Sequence, residues 1–319
     1  MSQRDLTEYP SKEEDEVDRP GEGSTPDEGA TETSRQEDSG DENTDTFQPM
    51  GEELPHENAV PPRCLSFTVS APFAHFRKIE TSSTRLSYGI PPRTTVNGLI
   101  AAILGLPRDS YYELFSLSRS AISITPVTPI RAYQMPIKHR NTDPEVYETA
   151  GSKRTLKIEY PKPPSDVDEG KHHQRVAHTM LRDVSYRIDV WISTEKIYDN
   201  LRDTLSAGES HYTPSLGLSE CLASITYHGE FTPDPVSVAD SETVAIDSAI
   251  PQSAAMIQTA SDTPVTTEQT PAEMRRVETP LPSRRTTAYT AYQFREDAGP
   301  IPAETDVAAV VDDLTVIFR

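Results

Sequence analysis

The apolar positions of this chain fall into short periodic runs separated by long polar stretches. Leu65, Phe67 and Val69 alternate with Ser66, Thr68 and Ser70, a period of two that predicts a strand beginning at Cys64. Val96, Leu99, Ile100, Ile103 and Leu104 then recur at the spacing of one helical face. The lead Pro91-Pro92-Arg93-Thr94-Thr95 offers Thr94 or Thr95 as its cap, and Gly105 with Pro107 ends it. Gly98 inside this helix costs about 1 kcal/mol against Ala, which close packing on a sheet would explain. Ile122 and Ile124, closed by Pro126, mark a second strand. Val184, Tyr186, Ile188, Val190 and Ile192 alternate as a third. Ser193 or Thr194 caps a second helix with the face Ile197, Leu201 and Leu205, stopped by Gly208, and a fourth strand runs near Leu222 to Tyr227.

The order is β-α-β, a long insertion, then β-α-β. It predicts an α+β chain whose residues 61–230 form a ferredoxin-like βαββαβ domain. The insertion, 130–180, is polar, basic and proline-containing, without a strong period. Residues 1–60 have almost no apolar periodicity and predict a disordered acidic tail. Residues 231–273, rich in Ser, Thr, Ala and Pro, are expected to be a flexible linker or insertion. Residues 274–319 form a small C-terminal β-rich segment, with strands at Tyr289–Phe294 and Leu314–Phe318.

Charge sharpens this division. The net charge is −21, but residues 1–60 hold 4 basic against 19 acidic residues and residues 229–319 hold 6 against 15, while residues 61–228 hold 20 against 17. A slightly basic middle is flanked by acidic ends, and a local basic patch is what nucleic-acid binding needs. With 22 Arg, only 8 Lys and abundant carboxylates, the composition points to a salt-loving organism, since acidic surfaces stay soluble where salt screens repulsion. High salt also weakens phosphate contacts, so affinity has to draw on stacking and shape. No apolar run is long enough to span a bilayer, and the acidic start has no secretory apolar region, so the expected place is the cytoplasm. Cys64 and Cys221 read as reduced, buried thiols, on adjacent strands if strands one and four are neighbours.

Candidate chemistry is sparse. His172, His173 and His178 lack further ligands at metal-binding spacing and read as solvated loop histidines. No Gly-rich phosphate loop or nucleophile elbow appears, so neither metal nor cofactor is expected. The constellation that carries weight is basic and aromatic: Phe73, His75, Phe76, Arg77 and Lys78, then Arg85 and Tyr88; Arg131, Tyr133, Lys138, His139 and Arg140; Lys153, Arg154 and Lys157. Arg and Lys neutralise phosphates while aromatic faces stack on unpaired bases.

Three blocks resemble the Cas-five family of CRISPR-associated proteins. Residues 65–77, LSFTVSAPFAHFR, look like its opening strand and loop. Residues 88–105, YGIPPRTTVNGLIAAILG, look like its proline-led first helix, and residues 212–223, YTPSLGLSECLA, like its later glycine-containing turn and strand. The resemblance implies a β-hairpin thumb inserted near 130–180. It also implies a non-catalytic subunit of a type I-B Cascade that holds the 5′ handle of the crRNA and contacts the backbone and large subunits. The RNA-binding residues would be Arg77, Lys78, Arg85, Tyr88, Arg131, Tyr133, Lys138, His139, Arg140, Lys153, Arg154 and Lys157. In one subtype the relative cuts the RNA itself with a Tyr, Lys and His set. Tyr88, Lys138 and His139 offer that alternative, a metal-independent endoribonuclease. A third reading gives the acidic tail a protein partner.

Overall fold

The structure is a computed structural model. It describes residues 53–56, 58–80, 84–140, 147–150, 158–161, 173–236, 243–258, 264–277 and 283–319, with the backbone alone at 79–80, 139–140, 147–150, 158–161 and 173–174. Strands β1 (Cys64–Ala74), β2 (Phe76–Glu80) and β3 (Thr84–Tyr88) precede α1 (Arg93–Leu104). Then come β4 (Ser120–Pro126), β5 (Arg131–Arg140), the pair β6 (Tyr147–Ala150) and β7 (Ile158–Pro161), and the 20-residue β8 (His173–Ile192). Helix α2 (Glu195–Ser206) and β9 (Ser224–Phe231) follow. The remainder is strand and turn: β10 (Asp234–Pro235), β11 (Val244–Ile246), β12 (Ile250–Pro251), β13 (Met256–Ile257), β14 (Thr266–Val277), β15 (Ser283–Phe294), β16 (Ile301–Glu304), β17 (Ala308–Val311) and β18 (Leu314–Ile317). The fold is α+β and strand-rich.

The central sheet runs β9–β1–β8–β4, each neighbour antiparallel. Its apolar face carries Leu65, Phe67, Val69, Ile188 and Val190 into one core with Val96 and Ile100 of α1 and Ile197 and Leu201 of α2. Strand β8 outruns this sheet. Its second half pairs with β1 and β4; its first half pairs with β5 over ten positions, Arg131↔Arg182 to Arg140↔His173, and forms a long hairpin in the expected insertion. The strand therefore starts well before Val184. Asp183, at φ 53, marks the point where hairpin leaves sheet, and its carbonyl accepts a hydrogen bond from Thr128 Oγ1 at 2.9 Å. A short polar side chain tolerates this left-handed backbone better than most.

Several expectations shift in detail. Helix α1 is capped by Pro92, not Thr94 or Thr95: the Pro92 carbonyl accepts from Thr95 N at 2.8 Å and Val96 N at 3.1 Å. The fixed φ of proline pre-forms that first turn. Gly105 ends the helix in the left-handed conformation, as the sequence suggests. Beside Gly98 lies the Tyr111 hydroxyl, not the sheet. Residues 1–52, expected to be a disordered tail, lie outside the described residues; chain closer to β1 is already packed, with Leu54 N bonded to Ser118 O at 2.9 Å and Ala59 buried.

The stretch 231–273 is not simply a linker. It contributes β10 to β13 and most of β14, and Ile246 and Ile250 are fully buried in a second apolar cluster with Ile301 and Ile317. Isolated isoleucines in a Ser/Thr/Pro background give too few repeats to register as a period, yet each pairs across a ladder. Cys64 and Cys221 are both buried thiols, but not on adjacent positions. Cys64 pairs with Phe231, whereas Cys221 precedes Ser224, the partner of Ser70. Six strand residues, about 20 Å, separate the two ends of that ladder, far beyond disulfide reach.

Candidate nucleic-acid interface

The outer face of the central sheet is largely polar, with the half-buried Phe231 ring of β9 5.8 Å from Arg187. Thr68, Ser70 and Ser185 are half-buried there, Thr226 and His228 are exposed, and Thr68 Oγ1 lies 2.7 Å from His228 Nε2. Arg187 on this face is committed: it donates to Ser66 Oγ at 2.8 Å and faces Asp189, Asp312 and Asp313 at 3.5, 3.2 and 3.3 Å. Burial pushes the Asp189 carboxyl up to about 6, against the lowering effect of Ser66 and Arg187.

A different surface gathers aromatic rings and cations. At the root of the β5–β8 hairpin, Phe73 of β1 stands opposite Arg182 of β8, and Arg182 stands opposite Arg131 of β5. Directly opposed residues share a face, so Phe73, Arg182 and Arg131 form one row across three strands. Tyr133, two residues along β5, closes the group, its ring 6.1 Å from that of Phe73. Phe73 and Tyr133 are 37% and 36% exposed, unusual for large rings packed together. Both guanidiniums are exposed, and among the described residues the only carboxylate against them is the solvent-facing Asp183, 3.2 Å from Arg182. Two stackable rings beside two forked cations suit unpaired bases and their phosphates.

A family profile described as CRISPR-associated protein (Cas_Cas5) matches residues 64–289, more than half of the chain. The chain belongs to this CRISPR-associated family. No curated protein sequence matches it. Among solved structures, a chain titled "CRISPR RNA-guided surveillance complex" is 16% identical over 75% of this chain and 91% of its own, with a TM-score of 0.40. Another, "Crystal Structure of CRISPR-associated Protein", is 15% identical over 78% and 96%, with a TM-score of 0.33. A chain of the "Type III-B Cmr-beta bound to cognate target RNA and AMPPnP" is 9% identical over 80% and 86%, with a TM-score of 0.34.

Within this family member the expected site residues separate into groups. Arg131 and Tyr133 lie at the hairpin root. Lys138 is exposed further out, opposite Arg175, also exposed. Counting along β5, Lys138 falls on the face opposite to Tyr133. His139 and Arg140 continue the backbone ladder, while Lys153, Arg154 and Lys157 lie outside the described residues. Arg77 is exposed on β2 and Arg85 half-buried on β3.

Lys78 and Tyr88 are engaged by partners within the chain. Lys78 Nζ lies 2.8 Å from Glu268 Oε1 and 5.4 Å from the centre of the Tyr88 ring. Glu268 Oε2 accepts from Gly89 N at 2.7 Å, and the Gly89 carbonyl accepts from Tyr186 Oη at 2.6 Å. Tyr88 is only 7% exposed, and desolvation with nearby Glu268 raises its pKa. Strand β3 runs parallel to β8 with Arg85 level with His178, which puts Tyr88 level with Leu181. Lys138 is opposite Arg175. Six strand residues, about 20 Å, therefore divide Tyr88 from Lys138, so the Tyr, Lys and His set is not brought around one phosphate.

Other expectations change too. His178, read as a solvated loop residue, is 2% exposed in β8, with its ring 5.3 Å from that of the equally buried His75. Among the described residues no group of His, Cys, Asp or Glu is placed to hold a metal, and no helix is long and apolar enough to cross a membrane. Phe73 was visible in the basic and aromatic blocks, but Arg182 was missed. Its signal was there: Val176, His178, Met180, Arg182, Val184 and Tyr186 keep one period of two, with an arginine in phase with buried residues.

Proposed function

We propose that the chain is the crRNA-gripping subunit of a type I-B Cascade, holding the 5′ handle in antiviral defence without cutting it. The observation that carries this reading is the row Phe73, Arg182, Arg131 with Tyr133, which joins stacking and phosphate contacts where the hairpin leaves the sheet. The strand order β9–β1–β8–β4 with its two helices is read as the ferredoxin-like arrangement, and the β5–β8 hairpin as the thumb inserted in it. The handle lies across the hairpin root and wraps round the hairpin edge to meet Lys138 and Arg175, further out on the opposite face. Backbone and large subunits of the complex are the protein partners, in the cytoplasm of a salt-loving cell. The distance between Tyr88 and Lys138 disfavours the endoribonuclease reading.

Binding of handle RNA to the purified full chain tests this. Tyr133→Ala with Phe73→Ala weakens binding roughly 10-fold or more at every salt concentration, because stacking is little screened. Arg131→Gln with Arg182→Gln weakens it at moderate salt and also flattens the salt dependence. Unaltered affinity in both double variants refutes the assignment. Site-specific cleavage of unprocessed repeat RNA, lost in His139→Ala, would instead establish the endoribonuclease.

A further inference from the structure

The C-terminal part carries a second basic surface that the handle reading does not use. Residues 229–319 hold only six basic residues, and four of them, Arg275, Arg276, Arg284 and Arg285, lie at one end of the β14–β15 hairpin. The ladder sets them against each other: Arg275 pairs with Arg285 and Arg276 with Arg284. Like charges directly opposed across a ladder are destabilising. Arg284 is compensated by Asp109, 2.6 Å away. Among the described residues no carboxylate is paired with Arg275, Arg276 or Arg285, all of which are exposed. An acidic protein that opposes arginines twice in succession, and gives three of them no counter-charge among the described residues, has built a place for an anion.

The rest of the hairpin's outer face says which kind. Arg285, Thr287 and Tyr289 alternate outward along β15, and the Tyr289 ring is 54% exposed. It borders an open depression lined by Gln252, Ser253 and Gln269. Forked cations, then about 13 Å along the strand an exposed ring, then side-chain amides, match phosphate, base face and base edge in turn.

The arginine end of this surface lies away from the thumb root. Strand β14 follows α1: Glu268 bonds Gly89 N just before the helix, Glu273 bonds Leu117 N at 2.8 Å, and Arg284 reaches Asp109 beyond the helix end. The hairpin root lies at the other end, where Tyr186 of β8 bonds the Gly89 carbonyl. The twelve residues of α1, about 18 Å, separate the arginine end from that root, and Tyr289 lies between the two. We infer that the outer face of β14–β15 is a second contact for single-stranded RNA, with Arg275, Arg276 and Arg285 on phosphates and Tyr289 stacked on a base.

Fluorescence anisotropy with a labelled oligouridylate of about 20 nucleotides, titrated with the full chain across a KCl series, is the test. Arg275→Gln with Arg285→Gln lowers the slope of log affinity against log salt by about 1.4, two phosphate contacts at about 0.7 each. Tyr289→Ala weakens binding roughly 10-fold without changing the slope, and Tyr289→Phe restores it. The arginine variant melts no lower than the parent, since it removes repulsion, so weaker binding is not explained by unfolding. Unchanged slope and affinity overturn the inference. So does displacement of a fluorophore placed beside Tyr289 by a synthetic peptide of residues 1–52 but not by RNA, which would make the acidic segment the occupant. Arg131→Gln with Arg182→Gln, measured in parallel, keeps the two readings apart: loss only there refutes the second contact, and loss only at β14–β15 refutes the thumb root.

Discussion

Arg93 opens α1 in the proline-led block, yet it is wholly buried and never reaches a surface. Its Nη2 donates to Ser120 O at 3.0 Å, Ser120 Oγ at 2.6 Å and Phe115 O at 3.3 Å, and its Nη1 donates to the carbonyl of Arg319. One guanidinium thus ties the start of α1 to the loop before β4 and to the last residue of the chain. Burial pushes its pKa down to about 10, so it remains charged at neutral pH. Replacing it with Met removes the desolvated cation, which is a gain, but strands several buried acceptors. Each hydrogen bond from a charged donor contributes about 1.5–3 kcal/mol, and each stranded acceptor costs about 1–3 kcal/mol. These overlap, and the net loss for Arg93→Met is on the order of 3–5 kcal/mol. Arg93→Lys keeps charge but not the planar fork, and loses roughly half as much. Guanidinium chloride unfolding at fixed salt reads the difference directly, and the Met variant melts about 10 °C lower. A Met variant within about 1 kcal/mol of the parent would refute the clamp. Weakened RNA binding at unchanged stability would show that Arg93 serves the ligand instead.

Two further outcomes are expected. The Asp189 carboxyl rises from 3.8 to about 6 on burial, so its contribution is full below about pH 4 and is lost as pH climbs to about 6, some 3 kcal/mol in all; urea unfolding of Asp189→Asn should gain that amount relative to the parent between pH 4 and pH 7, and a flat difference contradicts it. Gly217 sits at φ +88, and a Cβ there would lie 1.9 Å from the His75 carbonyl oxygen; thermal unfolding of Gly217→Ala should show a loss of several kcal/mol, whereas Gly208→Ala, at φ +67 with open space around it, costs about 1–2 kcal/mol, and equal losses refute the steric account.

How legible the molecule was depended on whether a residue's partner lay nearby in sequence. The helix faces at Val96–Leu104 and Ile197–Leu205 and the alternation at Val184–Ile192 repeat often enough to be read locally, and each forms the expected element. Strands β11 and β12 could not be read this way, because Ile246 and Ile250 gain burial from Ile301 and Ile317, more than fifty residues on. At the candidate site the same rule holds. Arg131 and Tyr133 were visible as a basic and aromatic run, while Arg182 becomes part of the group only through the β5–β8 register. The ion pair of Lys78 with Glu268, 190 residues later, is likewise invisible in the local sequence. Opposed arginines are invisible without the ladder that opposes them.

An acidic chain can still grip RNA if its cations act at contact distance. At about 1 M salt the Debye length is near 3 Å, so the −21 net charge repels an approaching strand hardly at all, and long-range steering vanishes with it. What survives is whatever touches: a guanidinium fork on a phosphate and a ring on a base. This favours few, well-placed arginines over many lysines, because the planar fork loses less freedom per bond formed and is more weakly hydrated. On the proposed crRNA-gripping reading, the 22 Arg to 8 Lys ratio fits that demand, as does the seating of Phe73 and Arg182 on strands that continue into the core. Continuity matters for the same reason. A side chain held in register by the core strands β1 and β8 pays its ordering cost during folding, leaving less to offset when RNA binds.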